Sequence, residues 1–269
     1  MFLPSTHSFP FKMSSQLEKH IYATEERNTP SDAWHNTIFS YIQLSRLHLF
    51  PLGTIFVFWP FAWGILIAST NRESHPQPIP SIAVATFAFG GIATLLHSAA
   101  CILSDICDKD FDSQVGFAIN FGIFAAWANS ATDDSFHVML PAFVTFAALI
   151  CWSIFYDTIY AWQDRVDDAK AGVKSTALLF GNHVRPVLSV FAVTFVSLML
   201  LAGTINGNSA WYFFISCGGA ACHLIWQLVT WDNADNADCA AKFASNGNLG
   251  LIVWVGLVAD YMMRLRALY

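Results

Sequence analysis

Long apolar stretches fill the sequence from about residue 49 onward and constrain the fold more than any other feature. A helix that crosses the hydrocarbon core of a bilayer needs roughly 20 mostly apolar residues. Seven stretches qualify, separated by polar connectors rich in turn formers: 49–68, 81–103, 115–131, 137–160, 186–205, 210–230 and 248–264. The sequence therefore predicts an all-α fold, a polytopic transmembrane helix bundle of about seven spans.

Composition supports a membrane protein and excludes some partners. Only 12% of the residues are charged, whereas soluble domains have about 25%. The net charge of −6 argues against nucleic acid, which needs a basic face. The expected partner is the lipid bilayer, and the sequence gives no indication of a protein partner.

The first 40 residues are polar and contain three prolines. They lack the apolar segment of a secretory signal and the arginine-rich, acid-poor composition of a mitochondrial presequence. We expect a disordered N-terminal tail over residues 1–40 and a single transmembrane domain over residues 41–269.

Counting the spans assigns every connector to one of two sides. Side one has the N-terminal tail and the segments 104–114, 161–185 and 231–247. Side two has the loop 69–80, the turns 132–135 and 206–209, and the C-terminus. Ten of the thirteen Lys and Arg residues fall on side one, so the positive-inside rule predicts that side one is cytoplasmic.

Two aspartate clusters on side one have helical spacing. The segment SDICDKDFD follows the second span, with Asp105, Asp108 and Asp112 at i, i+3 and i+7. The segment that ends the fourth span has Asp157, Asp164 and Asp168, seven and four residues apart. Each spacing puts its carboxylates on one face of a helix, where their mutual repulsion favours a bound cation. A third acidic group, Asp232, Asp235 and Asp238, follows the sixth span.

Carboxylates without His or Cys suit a hard cation such as Mg²⁺, which binds through one or two carboxylates plus substrate phosphates. Two clusters that face each other would hold two or more such ions and a diphosphate between them. Lys170, Lys174 and Arg185 are the candidate diphosphate-binding residues, because they would meet the remaining phosphate charge. Solvated acids that cap helix ends are the alternative, and acidic segments with lysines also occur in transporters.

The second cluster resembles a known family. The segment YDTIYAWQDRVDDAKAGVKSTALLFG, which starts at Tyr156, is similar to the second aspartate motif of the 4-hydroxybenzoate-type branch of the UbiA prenyltransferases. The first cluster resembles that family's NDxxDxxxD motif, with Ser104 in place of the usual Asn. The segments YIQLSRLHLFPLGT and DCAAKFASNGNLGLIVWVGLVAD resemble the start of the first span and the closing helix. The resemblance extends from about residue 41 onward.

The resemblance implies an enzyme that requires Mg²⁺ and transfers a prenyl group from an isoprenyl diphosphate to an aromatic acceptor. It assigns metal binding to Asp105, Asp108, Asp112, Asp164 and Asp168. Of these, Asp105, Asp108, Asp164 and Asp168 are also the expected catalytic residues.

The chain departs from the family between Val115 and Gly116. Family members usually continue the first motif with a basic ERTKxRP-type stretch and two further helices, which gives nine spans. Both are absent here, and loss of an even number of helices keeps the two aspartate motifs on one side. The departure leaves open whether this shortened chain is catalytically competent.

Three functions remain open at this stage. The favoured one is a fungal-type meroterpenoid transferase that attaches a farnesyl-length chain to a polyketide-derived phenolic acceptor, in a membrane of the endoplasmic-reticulum type. The first alternative is the mitochondrial 4-hydroxybenzoate polyprenyltransferase of quinone biosynthesis, in the inner membrane. The second is a non-catalytic membrane paralogue or a transporter.

Overall fold

The computed structural model describes residues 30–51, 53–72, 75–106, 119–131, 135–172 and 174–267. The chain divides into two units, Met1–His48 and Leu49–Tyr269. Most of the predicted tail lies outside the described residues, but its last part belongs to a helix, α1, at Pro30–Leu44. Arg46 follows with a positive φ of 54°, in the left-handed conformation that commonly ends a helix.

The second unit is built from nine further helices in its described part. They are α2 (Thr54–Ser69), α3 (Ile79–Ile106), α4 (Gly122–Ser130), α5 (Phe136–Ala161), α6 (Arg165–Ala171), α7 (Thr176–Phe180), α8 (Val184–Asn206), α9 (Gly219–Thr230) and α10 (Asn236–Arg266). A π-helical segment, Tyr212–Gly218, leads into α9. The described residues form no strand, so the predicted all-α fold is confirmed.

In the part of the chain that the structure describes, five helical stretches are long and apolar enough to cross a bilayer: Ile79–Leu103, Phe136–Ala161, Thr176–Asn206, Tyr212–Thr230 and Asn236–Arg266. They correspond to five of the seven predicted spans, and the chain is an integral membrane protein. The other two predicted spans contain shorter helices, α2 with 16 residues and α4 with nine. Residues 115–118, the start of the predicted third span, lie outside the described residues.

Helix α2 lies in the core, because almost all of its residues are buried. It packs against α3, α4 and α10. Its Gly64 permits close approach to α4, since a Cβ at this position would lie 2.5 Å from the backbone oxygen of Ile123. Small residues at helix crossings allow this packing in membranes. A helix surrounded by protein does not have to match the thickness of the bilayer.

A buried amide pair joins three helices deeper in the core. Asn246 of α10 and Gln227 of α9 exchange hydrogen bonds of 3.1 and 3.2 Å through their side chains. The indole nitrogen of Trp152 in α5 donates to the same Asn246 oxygen at 3.0 Å. The polar atoms of this group have partners, so burying them is not costly.

Hydrogen bonds bring the side-two connectors together. Asn71, after α2, donates to Asn206 at the end of α8 at 3.0 Å. Arg264, near the end of α10, donates to the Thr70 carbonyl at 2.8 Å. Gln77, before α3, donates to the Ser130 carbonyl at the end of α4. The predicted side-two segments therefore lie at one end of the bundle.

The opposite ends of the helices meet in the same way. The indole nitrogen of Trp162, after α5, donates to the Asn233 carbonyl between α9 and α10 at 2.8 Å. Arg185, at the start of α8, donates to the Leu228 carbonyl of α9 at 3.0 Å. His97 of α3 lies 3.4 Å from the Thr54 hydroxyl at the start of α2. These contacts put the C-terminal end of α3 and that of α5 on side one, as the parity of the spans predicts.

Candidate diphosphate site

The second aspartate motif forms a rigid turn at the side-one end of α5. Trp162 fixes this turn through its bond to Asn233 and through edge-to-face packing on Trp231, with ring centroids 5.7 Å apart. The guanidinium of Arg165 lies 4.4 Å from the centre of the Trp162 ring. The turn is therefore tied to the connector between α9 and α10 before the aspartates begin.

Asp164 and Asp168 lie one helical turn apart. Asp164 is the exposed residue that precedes α6, and its carbonyl accepts the Asp168 backbone N–H at 2.8 Å. Asp168 is buried, with 6% of its surface exposed. Asp167 differs, since it is exposed and pairs with Lys170 at 3.1 Å. An exposed ion pair of this kind contributes little to stability.

The basic residues of this region divide into two kinds. Lys170 and Lys174 are exposed near the aspartates. The segment that follows Lys174 is held beside α5, because the Thr158 hydroxyl donates to the Thr176 hydroxyl at 2.8 Å. Arg185 is occupied elsewhere: its guanidinium donates to the carbonyls of Leu228 and Trp231 and lies over the Trp231 ring. It thereby binds free carbonyls at the C-terminal end of α9.

The structure describes less of the first motif. Asp105 lies in the last turn of α3, and its side chain is beyond what the structure describes. Asp108 and Asp112 lie outside the described residues. The predicted roles of these three residues remain predictions.

The third acidic group has a local structural role. Asp235 accepts the backbone N–H of Ala237 and caps α10. Asp238 accepts the backbone N–H of Asp232 at 2.7 Å and pairs with Lys242 at 2.8 Å. Carboxylates at a helix N-terminus are stabilising.

Aromatic rings lead from the second motif into the core, and the sequence had not identified them individually. Tyr160 and Phe243 lie 4.8 Å apart between ring centroids, and Phe243 lies 4.8 Å from Phe56. Phe56 then contacts Tyr156 at 4.9 Å. Tyr156 and Tyr160 are four residues apart on α5 and therefore lie on one face. The chain has 24 Phe residues, so the sequence alone does not single out the Phe residues that pack against them.

The donor set fits Mg²⁺. Among the residues with described side chains, no three of His, Cys, Asp and Glu come together as a metal-binding group. Asp164 and Asp168 nevertheless supply carboxylate oxygens one turn apart, without soft ligands. Mg²⁺ commonly uses one or two protein carboxylates and takes its other ligands from water and substrate phosphates.

Comparisons with known proteins identify the family. The model of the UbiA prenyltransferase family matches residues 114–252. The UbiA prenyltransferase claS of Ampulloclitocybe clavipes is 33% identical, and the match covers 82% of this chain and 90% of claS. This chain belongs to the UbiA prenyltransferase family. The mitochondrial 4-hydroxybenzoate polyprenyltransferase of Caenorhabditis elegans is 28% identical over 83% of this chain and 79% of its own length. No solved structure matches the chain.

The alignments with UbiA relatives include more residues of the relatives than of this chain. The alignment with claS has 292 positions and covers 82% of 269 residues. About 221 residues of this chain are therefore included, and about 71 positions belong to claS alone, enough for two spans of roughly 20 residues and their connections. The family match begins at residue 114, next to Val115. Both observations agree with the predicted absence of two helices.

Substitution of Arg185 tests whether this residue stabilises the end of α9 or binds diphosphate. We expect Arg185→Gln to reduce the free energy of unfolding by about 1–3 kcal/mol, because the partly buried carbonyls of Leu228 and Trp231 lose their donor. Its affinity for Mg²⁺-diphosphate should stay within about twofold of the unsubstituted protein, a free-energy change below about 0.5 kcal/mol. Thermal unfolding in detergent and binding of labelled inorganic diphosphate measure the two effects.

Lys174→Gln is the matched control, since Lys174 is exposed. It should weaken diphosphate binding and leave stability unchanged. A loss of diphosphate affinity in Arg185→Gln without loss of stability would support the predicted diphosphate-binding role.

Proposed function

We propose that this protein transfers an isoprenyl group of about farnesyl length from its diphosphate to a phenolic aromatic acceptor, with Mg²⁺, in meroterpenoid biosynthesis. The observation that carries the proposal is the second aspartate motif, in which Asp164 and Asp168 lie one turn apart on a fixed turn at the side-one end of α5. Family membership supports the transferase chemistry.

In this proposal the acidic residues would bind the metal and the basic residues would bind the phosphates. Asp164 and Asp168 would hold the metal from one side, and Asp105, Asp108 and Asp112 from the other. Lys170 and Lys174 would contact phosphate oxygens directly. When bound, Mg²⁺ neutralises charge on the departing diphosphate and so favours ionisation of the allylic C–O bond.

The aromatic rings below the motif would protect the allylic cation. Tyr160, Phe243 and Phe56 extend from the motif toward the core. Their faces would attract a cation, and their apolar packing would keep water from the reactive carbon. An electron-rich ring carbon of the acceptor then forms the new C–C bond, and the ring loses a proton.

The meroterpenoid role is preferred to the quinone role on the basis of sequence. The relative claS, whose name does not mention 4-hydroxybenzoate, aligns over 90% of its length. The relatives named 4-hydroxybenzoate polyprenyltransferases keep the quinone role as the competing hypothesis. A membrane of the endoplasmic-reticulum type, with the aspartate motifs in the cytoplasm, goes with the preferred role. Farnesyl and longer polyprenyl diphosphates, compared as donors, would separate the two.

The metal role predicts the effect of charge removal. Asp164→Asn and Asp168→Asn keep the size of the side chain but remove its charge, so we expect each to reduce product formation by about a hundredfold. EDTA should abolish the activity, and added Mg²⁺ should restore it. The measurement is conversion of radiolabelled farnesyl diphosphate by purified protein.

Asp167→Asn is the control, because Asp167 is the exposed neighbour that pairs with Lys170. It should retain at least half of the activity. Near-normal turnover of Asp168→Asn at limiting Mg²⁺ would contradict the metal site.

The missing segment predicts slow catalysis by the chain in its present length. A diphosphate needs basic side chains as well as metal, and the family's basic stretch is absent. Only 6% of the apolar window of α3 is buried, against 50% for α5. Inserting the corresponding two-helix segment of claS between Val115 and Gly116 should raise turnover at least about tenfold, about 1.4 kcal/mol in activation free energy.

A second insertion, with the Lys and Arg residues of the basic stretch changed to Gln, separates charge from packing. It should cover α3 without restoring full diphosphate affinity. Equal turnover of the original chain and the extended one would show that the segment is dispensable.

A further inference from the structure

Three polar side chains form a hydrogen-bonded chain in the apolar interior near the second motif. The Asn120 amide nitrogen donates to the Ser153 hydroxyl at 3.0 Å, and that hydroxyl lies 3.2 Å from the Tyr156 hydroxyl. The three residues are 3%, 6% and 8% exposed. Polar groups at such depth need partners.

Counting hydrogens shows that one hydroxyl hydrogen of these three side chains has no acceptor among the described residues. The Asn120 amide supplies its own hydrogen, so Ser153 is an acceptor in that bond. Ser153 and Tyr156 each have one hydroxyl hydrogen, and the single contact between them uses one of the two. The contacts of these residues include no acceptor for the other hydrogen within the described part of the chain. A buried donor without an acceptor is unfavourable, and a ligand oxygen would satisfy it.

The surroundings of Tyr156 suit an aromatic ligand. Its ring centroid lies 4.9 Å from that of Phe56, and the rings of Trp152 and Phe243 present edge-on contacts at 5.3 and 5.8 Å. Rings in such arrangements attract a further ring beyond the effect of buried area alone. Side chains commonly change rotamer when a ligand binds, so one of these rings can be replaced by the ring of a ligand.

The charges near Tyr156 favour a neutral oxygen. Asp157 is the next residue, and its carboxylate would repel a carboxylate bound at the Tyr156 hydroxyl. Among the residues with described side chains, none of the contacts of Asn120, Ser153 and Tyr156 involves a cationic group. A phenolic hydroxyl has no charge to compensate.

The position also fits the reaction. Tyr156 precedes the end of α5 at Ala161 by five residues, about 7.5 Å along the helix axis, and Asp164 follows that end. Tyr160, whose ring packs on Phe243, lies between Tyr156 and Asp164 along the sequence. An acceptor ring held at Tyr156 would lie one step inward from the diphosphate.

We propose that Tyr156, oriented by Ser153 and Asn120, binds the phenolic oxygen of the aromatic acceptor and positions its ring for attack. The inference rests on the proposed function, because that function requires a phenolic acceptor. Tyr156 is a binding and positioning residue in this account, and the adjacent ring carbon is the one presented to the prenyl donor.

The test is equilibrium binding of two labelled probes, 4-hydroxybenzoate and benzoate, to the purified full chain in detergent. Tyr156→Phe should weaken binding of 4-hydroxybenzoate about tenfold, because one buried hydrogen bond is lost. Benzoate lacks the phenolic oxygen, so Tyr156→Phe should leave its affinity unchanged. Ser153→Ala should have an intermediate effect on 4-hydroxybenzoate.

Tyr212→Phe is the matched control, since Tyr212 is a buried tyrosine whose hydroxyl donates to the Met199 carbonyl at 2.9 Å. It should reduce thermal stability without changing either affinity. Equal weakening of both probes by Tyr156→Phe, no weakening, or no binding of 4-hydroxybenzoate to the unsubstituted chain would overturn the inference. Hydroxyl-dependent binding without any prenyl transfer, even after insertion of the two-helix segment of claS, would instead contradict the proposed function and leave the subsite in place.

Discussion

The arrangement of the helices depends on polar groups that are satisfied inside the bundle, at its side-two end above all. Asp260 of α10 is 3% exposed, and its carboxylate accepts from the Asn208 side chain at 2.6 Å and from the Ser209 backbone. Asn206 and Asn208 also contact Thr70, after α2. Lipid offers no replacement partners, so breaking such contacts is costly. They fix which helix ends lie together, and the side-one ends follow from them.

The chemistry at side one depends on this register. Asp164 and Asp168 lie at the end of α5 because α5 runs from side two to side one, and α3 runs in the same direction. At this boundary Asp164 is exposed and Asp168 is buried, while aromatic rings lie a turn below them. A hydrophilic diphosphate and an apolar isoprenoid can then occupy adjacent regions. The bundle would thus separate the negatively charged diphosphate from the allylic cation along the helix axis.

Much of the fold could be predicted from the sequence, because apolar length and charge asymmetry act locally along the chain. Five of the seven predicted spans were found from apolar length, whereas the absence of two helices near Val115 was inferred from the resemblance to the family. The hydrogen bonds of Arg185 could not be predicted, since they join it to carbonyls at the end of α9 and depend on the packing of distant segments. The Asn120–Ser153–Tyr156 chain was missed for the same reason, as Asn120 lies 33 residues from Ser153. The available indication in the sequence was that Ser153 and Tyr156, two polar residues, lie three positions apart in an apolar span.

The central claim is that both aspartate motifs lie on one side of the membrane and form a composite site. Single cysteines at Gln114, Lys170 and His75, in a cysteine-free background, test it most directly. In sealed vesicles an impermeant maleimide should label Gln114→Cys and Lys170→Cys from the same side, and His75→Cys from the opposite side. Opposite labelling of Gln114→Cys and Lys170→Cys would place the motifs on different sides and contradict the account.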